Sequence, residues 1–210
     1  MQIKLTGCDV SHWQGNINFK ELAKHVDFVI LKAGGTDTTD FYYVDKKFET
    51  NYKAAKEAGL KVGCYFFAGE YASGLDNGRR EAIYFYNIIK KKSFDMPVYL
   101  DYEIGNKEYK TSNTVYAVAF CETLERLGYF VGIYGSDIST FKEQLDYEKV
   151  RRFSLWVARY KKKPEYVKNY HMWQYTSCGK LPGIKGKVDL DYAYIDLASL
   201  IKKKHLNNCK

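Results

Sequence analysis

The sequence lacks any long apolar run. No stretch of about 18 apolar residues occurs among its 210 positions, so we expect no membrane-spanning helix and no membrane partner. The N-terminal residues 1–7 (MQIKLTG) also lack the hydrophobic segment of a secretory signal. We therefore expect that any export uses a route without such a signal, such as phage-type release or non-classical export, or a leader preceding this sequence.

Metal-binding and disulfide patterns are missing as well. The five cysteines are an odd number without a C-x-x-C pair, and the four histidines form no H-E-x-x-H motif. Cys8, Cys64 and Cys121 lie within apolar patterns, so we expect them to be buried, reduced thiols. The sequence predicts neither a metal site nor a cofactor.

Positive charge is plentiful, but no nucleic-acid-binding module accompanies it. The net charge of +8 is spread over lysine-rich patches at 90–92, 161–163 and 202–204, which is typical of solvated faces. We therefore expect no nucleic-acid partner. A bacterial cell wall is a polyanionic surface that attracts such a protein equally well, and the twenty tyrosines suit stacking on sugar rings as well as core packing.

Strand-like and helix-like segments alternate along the first two thirds of the chain. Five rounds of this alternation predict a parallel sheet, and eight strands in total predict its closure into a barrel. The last third contains strands but few helices, so a regular eightfold barrel is not expected. We find no linker or repeat and predict one domain over residues 1–210, with a core at about 3–197. The predicted strands cover residues 3–10, 28–31, 62–67, 96–104, 129–134, 155–158, 171–175 and 188–192.

The fourth predicted strand begins with apolar residues and ends with acidic ones. Pro97 can open a strand, and Asp101 and Glu103 point to the same side if strand geometry persists, with Cα atoms roughly 6.6 Å apart. Two carboxyl groups that close raise the pKa of one of them, and paired carboxyl groups are the working groups of glycosidases. The ordinary alternative is that acidic residues at a strand end are solvated or cap the next helix.

Other strand ends carry acidic and aromatic residues too. The active site of such barrels lies at the C-terminal ends of the strands, so these side chains should share one rim. Aromatic rings pack against sugar faces while carboxylates bind hydroxyl groups, which favours a carbohydrate cleft, although each aromatic residue alone could belong to the core. The residues are Asp9, Tyr65, Phe67, Asp101, Glu103, Tyr134, Trp156, Trp173, Gln174, Asp189 and Asp191.

Four segments, in order, resemble the glycoside hydrolase family 25 lysozymes, over about residues 3–197. The resemblance implies an N-acetylmuramidase on a single-domain α/β fold, an irregular (β/α)5(β)3 TIM-like barrel. It implies bacterial cell-wall peptidoglycan as the partner, and a bacterial autolysin or phage endolysin that acts extracellularly; we expect a monomer. The segments are residues 9–15 (DVSHWQG), 97–103 (PVYLDYE), 155–158 (LWVA), and 172–177 (MWQYTS) followed by 186–190 (GKVDL).

Roles carried over by position make Glu103 the general acid. Asp101 then orients the substrate's acetamido group or stabilises an oxocarbenium-like state, and Asp9 and Asp189 match two further acids of the rim. Retaining, inverting and N-acetyl-assisted routes remain open, and we favour the last because the two acids of the D-x-E are so close. The expected substrate contacts are Tyr65, Phe67, Tyr134, Trp156, Trp173 and Asp191.

Two departures from the family pattern stand out. Gly34-Gly35-Thr36 replaces a glutamate that some members carry after the second strand, which leaves that loop's contribution to substrate contact open. The usual V-D-L-N ending is V-D-L-D here, so Asp191 adds an acid near the site. No cell-wall-binding repeat is visible, and the positive charge could serve as an anchor instead. A chitinase-like hydrolase and a catalytically inert glycan-binding barrel are the alternative functions.

Overall fold

The computed structural model describes residues 4–37 and 41–209, and the chain folds there into a closed barrel. Ile3, the predicted start of the first strand, lies outside the described residues, as do both ends of the predicted domain, residues 1–2 and residue 210. The strands are β1 (Leu5–Val10), β2 (Phe28–Thr36), β3 (Tyr42–Val44), β4 (Lys61–Phe67), β5 (Val98–Asp101), β6 (Val131–Ser136), β7 (Ser154–Ala158), β8 (Met172–Gly179) and β9 (Val188–Ala193). Eight of them close the barrel in the order β1-β9-β8-β7-β6-β5-β4-β2, with β2 pairing back onto β1.

Helices cover the outside of the barrel, mainly in its first two thirds. The longest pack against each other and against β2, β4, β5 and β6. Within residues 4–37 and 41–209, no helix is both long and apolar enough to cross a membrane. The α-helices are α1 (Phe19–Leu22), α2 (Phe48–Glu57), α3 (Leu75–Ile89), α4 (Lys110–Arg126), α5 (Tyr147–Val150) and α6 (Leu197–Lys203), with 3₁₀ turns at His12–Gln14 and Lys107–Tyr109 and a π-helical turn at Ser139–Gln144.

The barrel is mixed rather than wholly parallel. Strands β1, β2, β4, β5, β6, β7 and β8 pair in parallel, whereas β9 runs antiparallel to both β8 and β1. A short connection of residues 180–187 joins β8 to β9, and so short a link permits only an antiparallel neighbour. The predicted irregular (β/α)5(β)3 TIM-like barrel is confirmed, with its last strand reversed.

One stretch expected as a loop is a strand. Gly34, Gly35 and Thr36 extend β2 and pair with β3, a short strand absent from the prediction. A Cβ atom on Gly34 would lie 2.2 Å from the carbonyl oxygen of Tyr43, so only glycine permits this close pairing.

Helix α4 begins at Lys110, three residues before the polar pair Asn113 and Thr114. Asn113 is buried within it and donates a hydrogen bond of 2.8 Å to the carbonyl of Asn106. A polar residue that can cap a helix also serves inside one when a nearby carbonyl needs a donor.

Alternation along the strands produces two buried layers. In β5, Val98 and Leu100 face the helices, while Tyr99 belongs to the cluster inside the barrel. The buried thiols of Cys8, Cys64 and Cys121 lie in the outer layer, as predicted. Aromatic and apolar side chains fill the middle of the barrel, which leaves its C-terminal rim for polar groups.

Asn207 closes the opposite end of the barrel. Its Oδ1 accepts a hydrogen bond of 2.7 Å from the Phe130 backbone, and its Nδ2 donates one of 2.9 Å to the Met96 carbonyl. The side chain is fully buried, and its φ of 57° lies in the left-handed region that asparagine tolerates. The C-terminal segment thus joins the bases of β5 and β6.

Candidate active site

A cavity of about 200 Å³ lies at the C-terminal ends of the barrel strands. Side chains at these ends point inward because every second residue of a strand faces the barrel interior. The cavity is strongly polar and acidic. It is lined by Asp9, Tyr65, Asp101, Glu103, Tyr134, Trp156, Tyr160, Gln174 and Asp189.

Seven of the ten predicted site residues line this cavity. Phe67, Trp173 and Asp191 do not, although the sequence placed all three on the same rim. The seven are Asp9, Asp101, Glu103, Asp189, Tyr65, Tyr134 and Trp156.

Trp173 lies on the other face of its strand. It pairs with Tyr192 across β8 and β9, packs against the Tyr175 ring, and donates a hydrogen bond of 2.7 Å from Nε1 to the carbonyl of Arg159. Its neighbour Gln174 faces the cavity instead. The expectation that Trp173 borders the acidic cavity is therefore not met, because position at a strand end does not specify which face a side chain takes.

Phe67 lies beside the cavity and contacts a lysine. It is the strand partner of Asp101, and the Nζ of Lys32 lies 4.5 Å from the centre of its ring. The same ammonium group is 5.6 Å from the Tyr43 ring and 5.8 Å from the Tyr65 ring. Aromatic faces stabilise a cation at such distances, so these rings hold one positive charge close to the acids.

Asp101 and Glu103 form a coupled pair. Asp101 is buried, whereas Glu103 is exposed at the cavity mouth. Burial, and then the nearby charge of Glu103, raise the pKa of Asp101 well above its usual range, while Lys32 opposes the rise. Desolvation also raises the pKa of Glu103, against a hydrogen bond from Asp101 and the charge of Lys32. Burial and the neighbouring charge therefore favour a single proton held between the two carboxyl groups.

Gln174 organises the other side of the cavity. Its Oε1 accepts hydrogen bonds from the hydroxyls of Tyr134 at 2.9 Å and Tyr160 at 3.0 Å. Because Oε1 is fixed as the acceptor, Nε2 faces Asp9 and donates a bond of 2.8 Å to its Oδ2. Gln174 is only 3% exposed, so the amide is held in one orientation.

Trp156 forms the floor. Its ring lies 4.4 Å from that of Tyr134 and 5.2 Å from that of Tyr99, and its Nε1 donates a hydrogen bond of 2.8 Å to Oδ1 of Asp191. Asp191 is therefore beneath the cavity rather than in it. Above the floor, burial and the charge of Glu103 raise the pKa of Asp189 to about 6.

The sequence did not single out Lys32 or Tyr160, and it named Gln174 without a role. Gln174 could have been found, because alternation along β8 places it on the same face as the buried Met172. Tyr160 follows β7 in an irregular segment, where no periodic signal exists. Lys32 interrupts a buried apolar strand, which is a signal that a charged partner lies inside.

The arrangement combines proton donors, carboxylates and aromatic surface in one small polar cavity. Such a set can protonate a leaving group and stabilise developing positive charge. In the described part of the chain, no cluster of His, Cys, Asp or Glu has the geometry to hold a metal ion. The carboxyl groups and hydroxyls that line the cavity offer acid–base and electrostatic chemistry.

Comparison with known proteins points to the same chemistry. The family model "Glycosyl hydrolases family 25" matches residues 8–184. An autolytic lysozyme of Clostridium acetobutylicum is 30% identical over 191 residues, which are 89% of this chain and 55% of that protein. The chain thus spans about half the length of that relative.

Solved structures share the fold over nearly the whole chain. The bacterial lysozyme of Streptomyces coelicolor superposes with a TM-score of 0.77 at 26% identity, covering 98% of each chain. The CTP1L endolysin superposes with a TM-score of 0.79 at 28% identity, covering 95% of this chain and 70% of the endolysin.

Proposed function

Because the chain belongs to glycosyl hydrolases family 25, we propose that it is a lysozyme, an N-acetylmuramidase of bacterial peptidoglycan. It would hydrolyse the β-1,4 bond between N-acetylmuramic acid and N-acetylglucosamine. The observation that carries the proposal is the cavity itself, where Glu103 stands exposed at the mouth and is coupled to the buried carboxyl of Asp101. The substrate lies outside the cell membrane, so the protein would act on the wall, where its charge of +8 favours binding.

Glu103 is the proposed general acid. Of the two coupled carboxyl groups it alone is exposed, so it alone can reach the glycosidic oxygen of a long polymer. A bound sugar chain would exclude water from the mouth and raise its pKa further, which keeps the proton on Glu103 until the bond breaks. The shared proton of the pair supplies the acid.

Asp101 is proposed to orient the substrate's acetamido group. Asp101 and Glu103 lie two residues apart at one strand end, which is the reason for preferring the N-acetyl-assisted route to a carboxylate nucleophile about 5–5.5 Å from the acid or to a water held in a wider gap. The N-acetyl group of the substrate is then the nucleophile, and Asp101 accepts its N–H. This favours the N-acetyl-assisted route among the three.

Asp9 and Asp189 are proposed to stabilise the positive charge that develops on the sugar ring. Both lie on facing positions of β1 and β9 and line the cavity. A carboxylate fixed in advance stabilises charge without reorganisation at the moment of reaction. Tyr65, Tyr134 and the edge of Trp156 would pack against the sugar.

Reducing-end mass analysis tests the proposal. Purified peptidoglycan is incubated with the native protein and with the Glu103→Gln variant, which keeps the shape of the side chain but cannot donate an acid proton. We expect new N-acetylmuramic acid reducing ends from the native protein, and a loss of about 10²–10⁴-fold in the variant. An exposed matched control, Glu57→Gln at the end of α2, should behave like the native protein.

Two other results would point to the alternative functions. New N-acetylglucosamine ends, or faster cleavage of chitin than of peptidoglycan, would assign a chitinase-like activity instead. Binding of peptidoglycan without any release would assign a catalytically inert barrel.

A further inference from the structure

Asp191 is a buried acid that the proposed reaction leaves without a role. It is 0% exposed, and its Oδ1 accepts the indole N–H of Trp156 at 2.8 Å. Within the described part of the chain, its Oδ2 has no hydrogen-bond partner in standard geometry. Leaving a charged oxygen buried without a partner is strongly unfavourable, so the structure calls for a proton there.

The carboxyl of Asp9 lies next to that oxygen. Asp191 is opposite Gly7 on β1, and Asp9 is opposite Asp189, so the side chains of Asp9 and Asp191 share the inner face on adjacent strands. Gly7 has no side chain to separate them. The two carboxyl groups are therefore neighbours, and a proton on one of them would allow a hydrogen bond between them.

The titratable groups around Asp191 do not include a cation among the described residues. Burial raises its pKa well above the usual range and the charge of Asp189 adds to the rise, while the indole N–H of Trp156 and the contact with Asp9 oppose it. Two neighbouring carboxylates in such surroundings cannot both be ionised. Inside the barrel its titratable neighbours are Asp9, Asp189 and Tyr99, while Cys8 on β1 and Tyr175 on β8 interact with its charge from the outer layer.

The surroundings decide which of the two carboxyls keeps the proton. Asp9 borders the cavity and receives the amide N–H of Gln174, so its ionised form is stabilised. Asp191 receives only the indole N–H and has no access to solvent. We propose that Asp191 is a positioning residue: a neutral carboxylic acid that donates a hydrogen bond to the ionised carboxylate of Asp9 and so fixes it for the proposed hydrolysis.

A neutral acid has an upper pH limit in this role. Once its proton is lost, two adjacent buried carboxylates repel each other, and Asp9 loses both its position and a donor. Asparagine offers the same acceptor and donor at every pH. The inference rests on the proposed function for its effect on rate, but the protonation of Asp191 exists whether or not the protein cleaves peptidoglycan.

The activity test compares pH profiles of kcat/KM for the native protein and Asp191→Asn, each normalised to its own maximum. At the alkaline pH where the native value has fallen tenfold, we expect the variant to retain at least a threefold larger share of its maximum. The matched control Asp146→Asn, at the exposed N-cap of α5, should follow the native profile. Superimposable alkaline limbs for the native protein and Asp191→Asn would overturn the inference.

Infrared difference spectroscopy provides a readout without turnover. Beside any band from the Asp101–Glu103 pair, we expect the native protein at neutral pH to show a protonated-carboxyl C=O band that is lost in Asp191→Asn. If that variant does not fold, Trp156→Phe should shift the same band, because it removes the N–H that Oδ1 accepts. A native protein without the band would overturn the inference even if it is an active muramidase. A native protein with the band but no cleavage would overturn the proposed function alone.

Discussion

Replacing Gln174 by methionine tests how Asp9 is held. Methionine has a similar length but cannot donate the 2.8 Å hydrogen bond that Nε2 makes to Oδ2 of Asp9. A hydrogen bond to a charged group contributes about 1.5–3 kcal/mol. If the ionised Asp9 stabilises the transition state, that energy corresponds to a loss of about 10- to 150-fold in kcat/KM.

The same substitution should change the pH profile in a definite direction. The amide of Gln174 lowers the pKa of Asp9 against the raising effects of burial and of the neighbouring acids. Its removal leaves Asp9 protonated up to a higher pH, so the acid limb of the profile should move upward. Reducing-end release from peptidoglycan, measured across the pH range on protein whose folding is checked by circular dichroism, gives both quantities.

Tyr160→Phe is a milder substitution in the same hydrogen-bond network, and its effect should be smaller than that of Gln174→Met. It removes one of the two hydroxyls that fix Oε1 but keeps the donor to Asp9, and the ring is 45% exposed. A neutral hydrogen bond contributes about 0.5–1.5 kcal/mol, so the loss should be about 2- to 13-fold. A Gln174→Met protein within about threefold of native kcat/KM, with an unmoved acid limb, would refute the role given to this network.

Two predictions concern stability. Asn207→Ala should lower the free energy of unfolding by about 2–5 kcal/mol, because it leaves the Phe130 N–H and the Met96 carbonyl buried without partners; full recovery in Asn207→Gly would assign the loss to backbone strain instead. Asp189 has a native pKa of about 6, above the unfolded value near 3.9, so the native state holds its proton more tightly and stability falls as pH rises from about 4 to 6. Allowing for its partial exposure, Asp189→Asn should remove about 1–2 kcal/mol of that fall in urea unfolding, and an identical fall in the variant would contradict the assignment.

The strands of this barrel were predictable because their signals are local. Apolar runs such as Val98–Asp101 and Lys61–Phe67 are bounded by turn residues, and alternation with helices specifies parallel pairing. The reversal of β9 and the short strand β3 were not. The orientation of β9 was not deduced from its short connection to β8, and β3 forms beside the end of β2 because two glycines there have no side chains to obstruct the pairing.

Most residues of the candidate site could be predicted from the sequence, but their orientation and hydrogen bonds could not. Acids at the ends of parallel strands had to meet at one rim, so Asp9, Asp101 and Glu103 were found from their positions. Asp189 is the second residue of β9 and reaches the same rim because that strand is reversed. The sequence did not show which face of a strand each side chain would take. Trp173 was predicted to contact substrate because it is aromatic, yet its smaller neighbour Gln174 faces the cavity. Counting alternate residues from a buried position such as Met172 would have separated the two.

Protonation is the feature that no sequence pattern could supply. Asp9, Asp189 and Asp191 are the same residue type, yet each has different neighbours in the structure. Asp9 accepts the amide N–H of Gln174, Asp189 lies near the charge of Glu103, and Asp191 accepts the indole N–H of Trp156 beneath the cavity floor. A hydrogen-bond donor stabilises the ionised form, whereas burial and like charge stabilise the neutral one. The same residue type can therefore serve as a carboxylate at the cavity wall and as a neutral acid below it, and this division depends on contacts between strands that lie more than 160 residues apart, such as that of Asp9 with Gln174.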